Sequence, residues 1–378
     1  MMEAPTTSRD GALAGPPMRF RPSAGPGVIS IFFATFIGSC ALLGCFLPFP
    51  RILIIRDKLE YLARHGDDYD VVFIGSSHIQ GQVMPSVFDE VTCRAGVRVK
   101  SFNAGVAGMF APEDGYVLEQ ILQRPHHRLR WVFFELSHVR TSLEREGTAR
   151  FTYWHDWPRL SLIVRRLWQQ AVDASAPMAK NPQASFAQRW DIWSTMGETM
   201  AGHIHQWLAR AVNLGRGNDL LAQWSHERDS QRESGKSLGP MGDGWMTAFG
   251  VPQLMPPEPR AKYLASYEER LATPATRERN DPVSQVALQR LVATVRRSGA
   301  VPIFVVPPTT EAGYFYPPAE REKDISILDF SDVRKYPELY DPDHRIDLDH
   351  LNTSGAKIFS AALAQYFVPM VNRTQGTP

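Results

Sequence analysis

The chain has 378 residues, 43% hydrophobic, 21% charged and 11% aromatic, with 41 Lys+Arg against 40 Asp+Glu and a formal charge of +1. That is a globular composition with enough apolar mass for a sizeable core, and its charge balance excludes a bulk electrostatic affinity for nucleic acid. Only three Cys are present, and two of them, Cys40 and Cys45, fall in one apolar run, which excludes a disulfide scaffold and a Cys-based zinc site.

Residues 1–27 are rich in Pro, Gly, Ala, Ser and Thr, a composition that predicts a disordered tail. From Val28 to Leu47 no charge occurs, and Pro48 and Pro50 close the run. Twenty helical residues span about 30 Å, one hydrocarbon thickness, so 28–48 reads as a transmembrane signal anchor. Arg9, Arg19 and Arg21 flank it on the N-terminal side, which assigns the tail to the cytoplasm. The rest of the chain is then extracytoplasmic, held by one helix at the cell (inner) membrane. A cleaved signal, a lipoprotein site at Cys40 or Cys45 and a buried core helix are the other readings of this run. The absence of any polar face argues against the last.

Residues 49–69 form a juxtamembrane linker with a helix over Arg51–Gly66. Val71–Ile74 is a short apolar strand ending at Gly75. A helix over 79–94, interrupted near Pro85, follows. Val97–Phe102 is a second strand, Pro112–Gln123 a helix, and Arg130–Leu136 a third apolar strand. This alternation predicts an α/β domain over 70–378, a three-layer, doubly wound parallel sheet. A mostly helical insertion at about 150–280 splits it. Eight of the nine Trp lie between Trp154 and Trp245, which ties the insertion to core packing, a membrane interface or a sugar platform. Helices are expected over Trp157–Val172 and Ala187–Val212, with a loop-like stretch at 213–260. The α/β pattern resumes with a helix over Pro282–Ser298, a strand over Val301–Val306 and a last helix over Thr353–Phe367, capped by Asn352, Thr353 or Ser354.

Ligands of open parallel sheets bind beyond the carboxyl ends of strands. Those ends supply Gly75-Ser76-Ser77-His78, Asn103 to Gly108 and Glu135-Leu136-Ser137-His138, and Asp347-Leu348-Asp349-His350 precedes the last helix. A serine hydroxyl needs an adjacent base, the base needs an acceptor that fixes its tautomer, and the developing oxyanion needs N–H donors. Ser77 is the candidate nucleophile, His350 the base and Asp347 the orienting acid, with Asp349 as its rival. The backbone of Ser77 and Gly108, with Ser137, supplies the candidate oxyanion hole. His78, Asn103, His138 and Asp349 are candidate cleft-lining residues, His78 and His138 being equally readable as helix caps. His203, His205 and His226 do not form a metal set, because i and i+2 on a helix diverge. No metal and no cofactor is expected.

These residues resemble the SGNH/GDSL hydrolase superfamily. Gly75-Ser76-Ser77 is similar to its first block, Gly108 to the glycine of its second, and Asp347-x-x-His350 to its fifth. The Asn that the third block offers has no counterpart after Phe134-Glu135-Leu136. The resemblance implies a flavodoxin-like SGNH fold, and with the anchor it narrows to the DltD and alginate O-acetylation branch. That branch implies a serine esterase or O-acyltransferase acting on a cell-envelope polysaccharide or similar acylated polymer. It implies a membrane-bound O-acyltransferase as partner, and no nucleic acid. A non-catalytic scaffold for such a partner is the rival reading.

Overall fold

The computed structural model describes residues 26–44, 47, 49–50, 52–124, 126–143, 148–179, 186–213, 216, 237–247, 254–273, 277–278, 281–310, 314–318 and 325–375. Most of the stretch read as loop-like at 213–260, and residues 1–25 of the expected tail, lie outside them.

Five short strands form one all-parallel sheet: β1 (Val71–Ile74), β2 (Ser101–Asn103), β3 (Trp131–Glu135), β4 (Val301–Val306) and β5 (Ser326–Asp329). Their order is β2-β1-β3-β4-β5, so the chain winds outward in both directions from β1. Val71 pairs with both Ser101 and Trp131, and Phe133 with Ile303, which aligns the strand ends.

Alternation along the strands builds two cores. Val71, Phe73, Trp131, Phe133, Ile303 and Val305 face one side. There they meet Phe88 of α4 (Pro85–Arg94) and Phe359, Leu363 and Phe367 of the last helix, α11 (Thr353–Gln375). Val72, Ile74, Val132, Phe134, Phe304 and Val306 face the other. Here α2 (Leu53–His65), α5 (Glu113–Leu122) and α10 (Pro282–Arg297) cover them through Leu62, Ile121 and Val295. Helices thus cover both faces, and truncating a fully buried ring such as Phe133 to Ala costs about 3–5 kcal/mol.

The break expected at Pro85 is real. α3 (Ser77–Gln82) stops, Val83 and Met84 are extended as the residue before a proline requires, and α4 restarts with Pro85 at its first position. The strand expected at 97–102 is shorter and shifted. Val97 N–H still bonds the Thr92 carbonyl of the preceding turn, and pairing begins only where the Asp89 carboxylate accepts from Ser101 N and Oγ. Among the elements not legible beforehand are β5, a half-buried edge strand, and α9 (Pro257–Ala272).

The insertion after β3 contains α6 (Ala149–Tyr153) and two long antiparallel helices, α7 (Trp157–Ala179) and α8 (Phe186–Ala211). Part of it returns to the sheet. Asn103 N bonds Asp243 O at 2.8 Å, and Trp245 Nε1 donates to Gly81 O at 3.0 Å, against α3.

The apolar run near the N-terminus forms α1 (Pro26–Leu43), with Val28, Ile31, Phe32, Phe33 and Phe36 all exposed. Among the described residues no helix is long and apolar enough to cross a membrane. Cys45, Phe46 and Pro48 of the expected 28–48 span lie outside them.

Candidate active site

Ser77 is the first residue of α3, at the carboxyl end of β1, where the strand order reverses between β1 and β3. The turn that presents it tolerates no side chain at Gly75, because a Cβ there would lie 2.4 Å from Ile79 Cγ1 and 2.7 Å from Glu135 Cβ. Ser76 caps α3, its Oγ accepting from His78 N at 3.2 Å. Ser77 itself is half-buried.

His350 reaches Ser77 from a loop distant in sequence. Its Nε2 lies 2.7 Å from Ser77 Oγ. On the other side Nδ1 lies 3.0 Å from both Asp347 carboxylate oxygens, so the carboxylate fixes the tautomer that leaves Nε2 free to accept the serine proton. Asp347 Oδ1 also accepts from Asp349 N at 2.8 Å and His350 N at 2.7 Å. Burial disfavours the Asp347 carboxylate, but the imidazole and these N–H groups outweigh it and lower its pKa to about 2.

A buried arginine builds this loop. Arg345, with no exposed surface, donates to the carbonyls of Leu339 (3.0 Å), Leu348 (2.9 Å) and Pro308 (3.3 Å) and lies over the Tyr263 and Tyr340 rings. Ile346 N bonds His350 O at 2.9 Å, which closes the turn. Asn352 Oδ1 accepts from Ser354 N and Gly355 N and caps α11, settling which of the three candidate residues does so.

Asp349, the rival acid, does not orient the imidazole. Its Oδ1 accepts from Thr309 Oγ1 at 2.9 Å, which ties the loop to the end of β4.

The loop after β2 is fastened to the nucleophile turn. Val106 N bonds Gly75 O at 2.9 Å, and Ala107 N donates to Gln80 Oε1 at 2.5 Å. Lys58 Nζ, buried under α2, donates to Gly105 O and Gly244 O, both at 2.7 Å. Burial lowers the Lys58 pKa to about 7, against the opposing pull of Asp243. The loop turns at Gly108, whose φ of +67° suits glycine. Among the described residues the backbone N–H groups of Ser77 and Gly108 have no acceptor, which leaves both available to an oxyanion.

Three further candidates have partners of their own, and one of them, Asn103, is not where a cleft-lining residue would be. Asn103 does not line a cleft. It is wholly buried, and its amide donates to Ile79 O and Val83 O, both at 2.7 Å, while its Oδ1 accepts from Gly105 N, because α3 and the β2 loop need a shared partner for these buried polar groups. Ser137 Oγ accepts from Ala111 N at 3.2 Å, so the hydroxyl braces the loop ahead of α5. His138 Nδ1 lies 2.9 Å from Asp281 Oδ2, at the carboxylate that caps α10.

His78 belongs to the site in a way its sequence position did not disclose. Its ring stacks on His350 with centroids 5.2 Å apart, and its Nδ1 lies 2.8 Å from Glu135 Oε1. Glu135 Oε2 in turn accepts from Ser76 N at 2.6 Å. Burial opposes both charges, yet the pair outweighs it. His78 is raised above the ordinary histidine value by Glu135, with help from Asp349 and against Arg345. Glu135 is held below the ordinary glutamate value by His78 and Ser76. One carboxylate at the end of β3 therefore fixes both the nucleophile turn and the ring beneath the base. The signal was available: a glutamate ending the otherwise apolar strand Trp131–Glu135 demands buried partners.

No protein-family model matches the chain, and no curated protein matches its sequence.

Proposed function

We propose that the protein is a membrane-anchored, extracytoplasmic serine enzyme of SGNH type, an esterase or O-acyltransferase that works through an acyl-Ser77 intermediate. The observation that carries this reading is the unbroken relay Ser77–His350–Asp347 at the point where the sheet order reverses. The strand order 2-1-3-4-5 is that of flavodoxin-like doubly wound folds, which supports the SGNH assignment of the fold.

The chemistry follows from the contacts. His350 Nε2 takes the Ser77 proton as Oγ attacks the ester carbonyl carbon, and Asp347 stabilises the imidazolium. The N–H groups of Ser77 and Gly108 receive the oxyanion. Collapse expels the alcohol, which takes the proton back from His350, and leaves the acyl group on Ser77. Water or a sugar hydroxyl, deprotonated by His350, then attacks the acyl carbon and releases Ser77. A cell-envelope polysaccharide or similar polymer is the proposed substrate, with a membrane-bound O-acyltransferase as acyl source.

The anchor rests on α1 and the uncharged run that continues to Leu47, with Arg19 and Arg21 before it. The 18 residues of α1 alone extend about 27 Å.

The test is a fluorophosphonate probe on the full chain in detergent, with the label located by mass spectrometry. Label on Ser77 that disappears in Ser77→Ala and His350→Ala is expected. A folded, unlabelled wild type would move the reading to the non-catalytic scaffold.

A further inference from the structure

The long helices of the insertion pack one face onto the sheet domain, with Ile163 and Leu167 of α7 in its core and Met196 and Met200 of α8 against it, and leave an apolar stripe on the other face. On α8 the fully buried side chains are His203 and Gln206. His203 Nδ1 meets His155 Nε2 at 2.9 Å, and Gln206 Oε1 accepts from Thr152 Oγ1 at 2.6 Å. Burial, reinforced by His203, pulls the His155 pKa down to about 3, so His155 is neutral. The outward side carries an apolar stripe bordered by exposed polar residues such as Arg189, Glu198 and His205. Phe186, Trp190, Ile204 and Leu208, with Trp193, Gly197 and Ala201 between them, recur every three or four residues along one stripe. Phe186 is 75% exposed and Trp190 64%.

The stripe continues on α7. Trp157, Trp168 and Val172 share a face and are exposed, and the two helices join through Trp168 against Trp193 and Trp157 against Trp207, with ring centroids 5.2 and 6.0 Å apart. Of the twenty large hydrophobic residues exposed among the described residues, fifteen lie on α1 or on this hairpin. These two elements also meet: Asn213, just past α8, donates from Nδ2 to the Cys40 carbonyl of α1 at 2.8 Å.

We propose that the α7–α8 hairpin docks on the lipid surface, its tryptophan-rich stripe seated at the headgroup–acyl boundary of the membrane that α1 enters. The occupant follows from three features together. The end of the hairpin touches the apolar anchor, through Asn213 on the Cys40 carbonyl. Tryptophan, favoured where one end of a side chain is dry and the other wet, supplies much of the exposed apolar surface. The exposed apolar residues recur at helical spacing with polar residues such as Arg189, Glu198 and His205 beside them, as on a helix lying at a lipid interface. Docking would hold the Ser77 cleft at a fixed height and orientation over the bilayer, where a polymer is acylated beside its membrane-bound donor. This inference rests on the anchor reading of α1, and the test separates the two.

The full chain is reconstituted into phosphatidylethanolamine–phosphatidylglycerol vesicles, part of whose lipid carries bromine near the headgroup end of the acyl chains. Brominated lipid is expected to quench tryptophan emission, and that quenching should fall in the variant W168F/W190F, which keeps the apolar surface and the fold and leaves Trp157 as the remaining exposed reporter among the described residues. Full-length chain that resists alkaline carbonate extraction, yet shows equal quenching in wild type and variant, overturns the docking and keeps the anchor. If that chain also runs as a dimer in lipid nanodiscs, a second copy covers the stripe instead. A chain that alkaline carbonate strips, but that is quenched through Trp168 and Trp190 beforehand, overturns the anchor and keeps the docking.

Discussion

The sheet domain and the helical hairpin share an apolar core, through Ile163 and Leu167 of α7, but differ in what they leave exposed. Around β1, β3 and β4 the apolar side chains go inward, and the few buried polar groups are concentrated at the strand ends, each with partners: Glu135 on His78 and Ser76, Arg345 on three carbonyls, Lys58 on two. In α7–α8 the helix turns His203 and Gln206 inward and shows Trp168, Trp190 and Phe186 outward. The first pattern is that of a domain folded against water, with these exceptions gathered around Ser77, His350 and the loops that hold them. The second leaves large apolar side chains facing outward, a surface that a lipid boundary would cover. Position of the polar exceptions, more than composition, separates a reacting centre from a docking surface.

If that division is right, damage at the strand ends abolishes chemistry while damage to the hairpin spares it. The largest effects belong to Ser77→Ala and His350→Ala, expected to lower kcat for a small soluble ester by about a thousandfold or more. Asp347→Asn should follow closely, since an amide turned toward Nδ1 stabilises the wrong tautomer. Stopped assays on the three variants, with circular dichroism to establish folding, check this. Residual turnover within tenfold of wild type would remove His350 as the base.

Glu135→Gln comes next, and its effect is on stability as much as on rate. Removing one partner of a buried ion pair costs about 3–5 kcal/mol. The pair also has a pH signature. Glu135 is depressed, so its contribution is present above the ordinary glutamate value and is lost as pH falls through the lower native one. His78 is raised, so its contribution is present below the ordinary histidine value and is lost as pH rises through the higher native one. Thermal unfolding of the wild type should therefore show greatest support from this pair in weakly acidic buffer, with a decline on the alkaline side. That alkaline decline should be shallower in Glu135→Gln; equal slopes would mean that the pair is not charged.

How much of this was legible in the sequence follows from the range of the interactions. β1, β3 and β4 announce themselves because each is a continuous apolar run, and the triad residues because turn chemistry brackets them: Gly75 before Ser77, and the Asp347 turn before the α11 cap. β5 was hidden, having only Ile327 and Leu328 between a Ser and an Asp on a half-buried edge. Arg345 and Lys58 gave no signal, because partners that bury them lie far along the chain: Tyr263 over Arg345, Gly105 and Gly244 at Lys58. Asn103 misled in the other direction. It stands at a strand end, where ligand-binding residues gather, yet it holds α3 in place.

Asp349→Asn sharpens the assignment within the loop. Its carboxylate accepts a hydroxyl from Thr309 and does not touch the imidazole, and an amide oxygen can keep that hydrogen bond. Turnover is expected within about threefold of wild type, in line with a substitution that leaves the reacting groups in place. A loss as large as that of Asp347→Asn would mean that the two acids exchange roles during the reaction.

The smallest effect is expected from the hairpin. W168F/W190F lies outside the Ser77 machinery, so turnover of a small soluble ester should stay within about twofold of wild type, as for sites that share no partners. The more disruptive W168S/W190S should behave the same way in detergent, because both rings already face outward and truncating them opens no cavity in the sheet domain. In vesicles the two assays should diverge: W168S/W190S keeps small-ester turnover but loses turnover of an acylated substrate tethered to the same bilayer. Equal loss with both substrates would place the hairpin inside the chemistry of the cleft and erase the division drawn between the two regions.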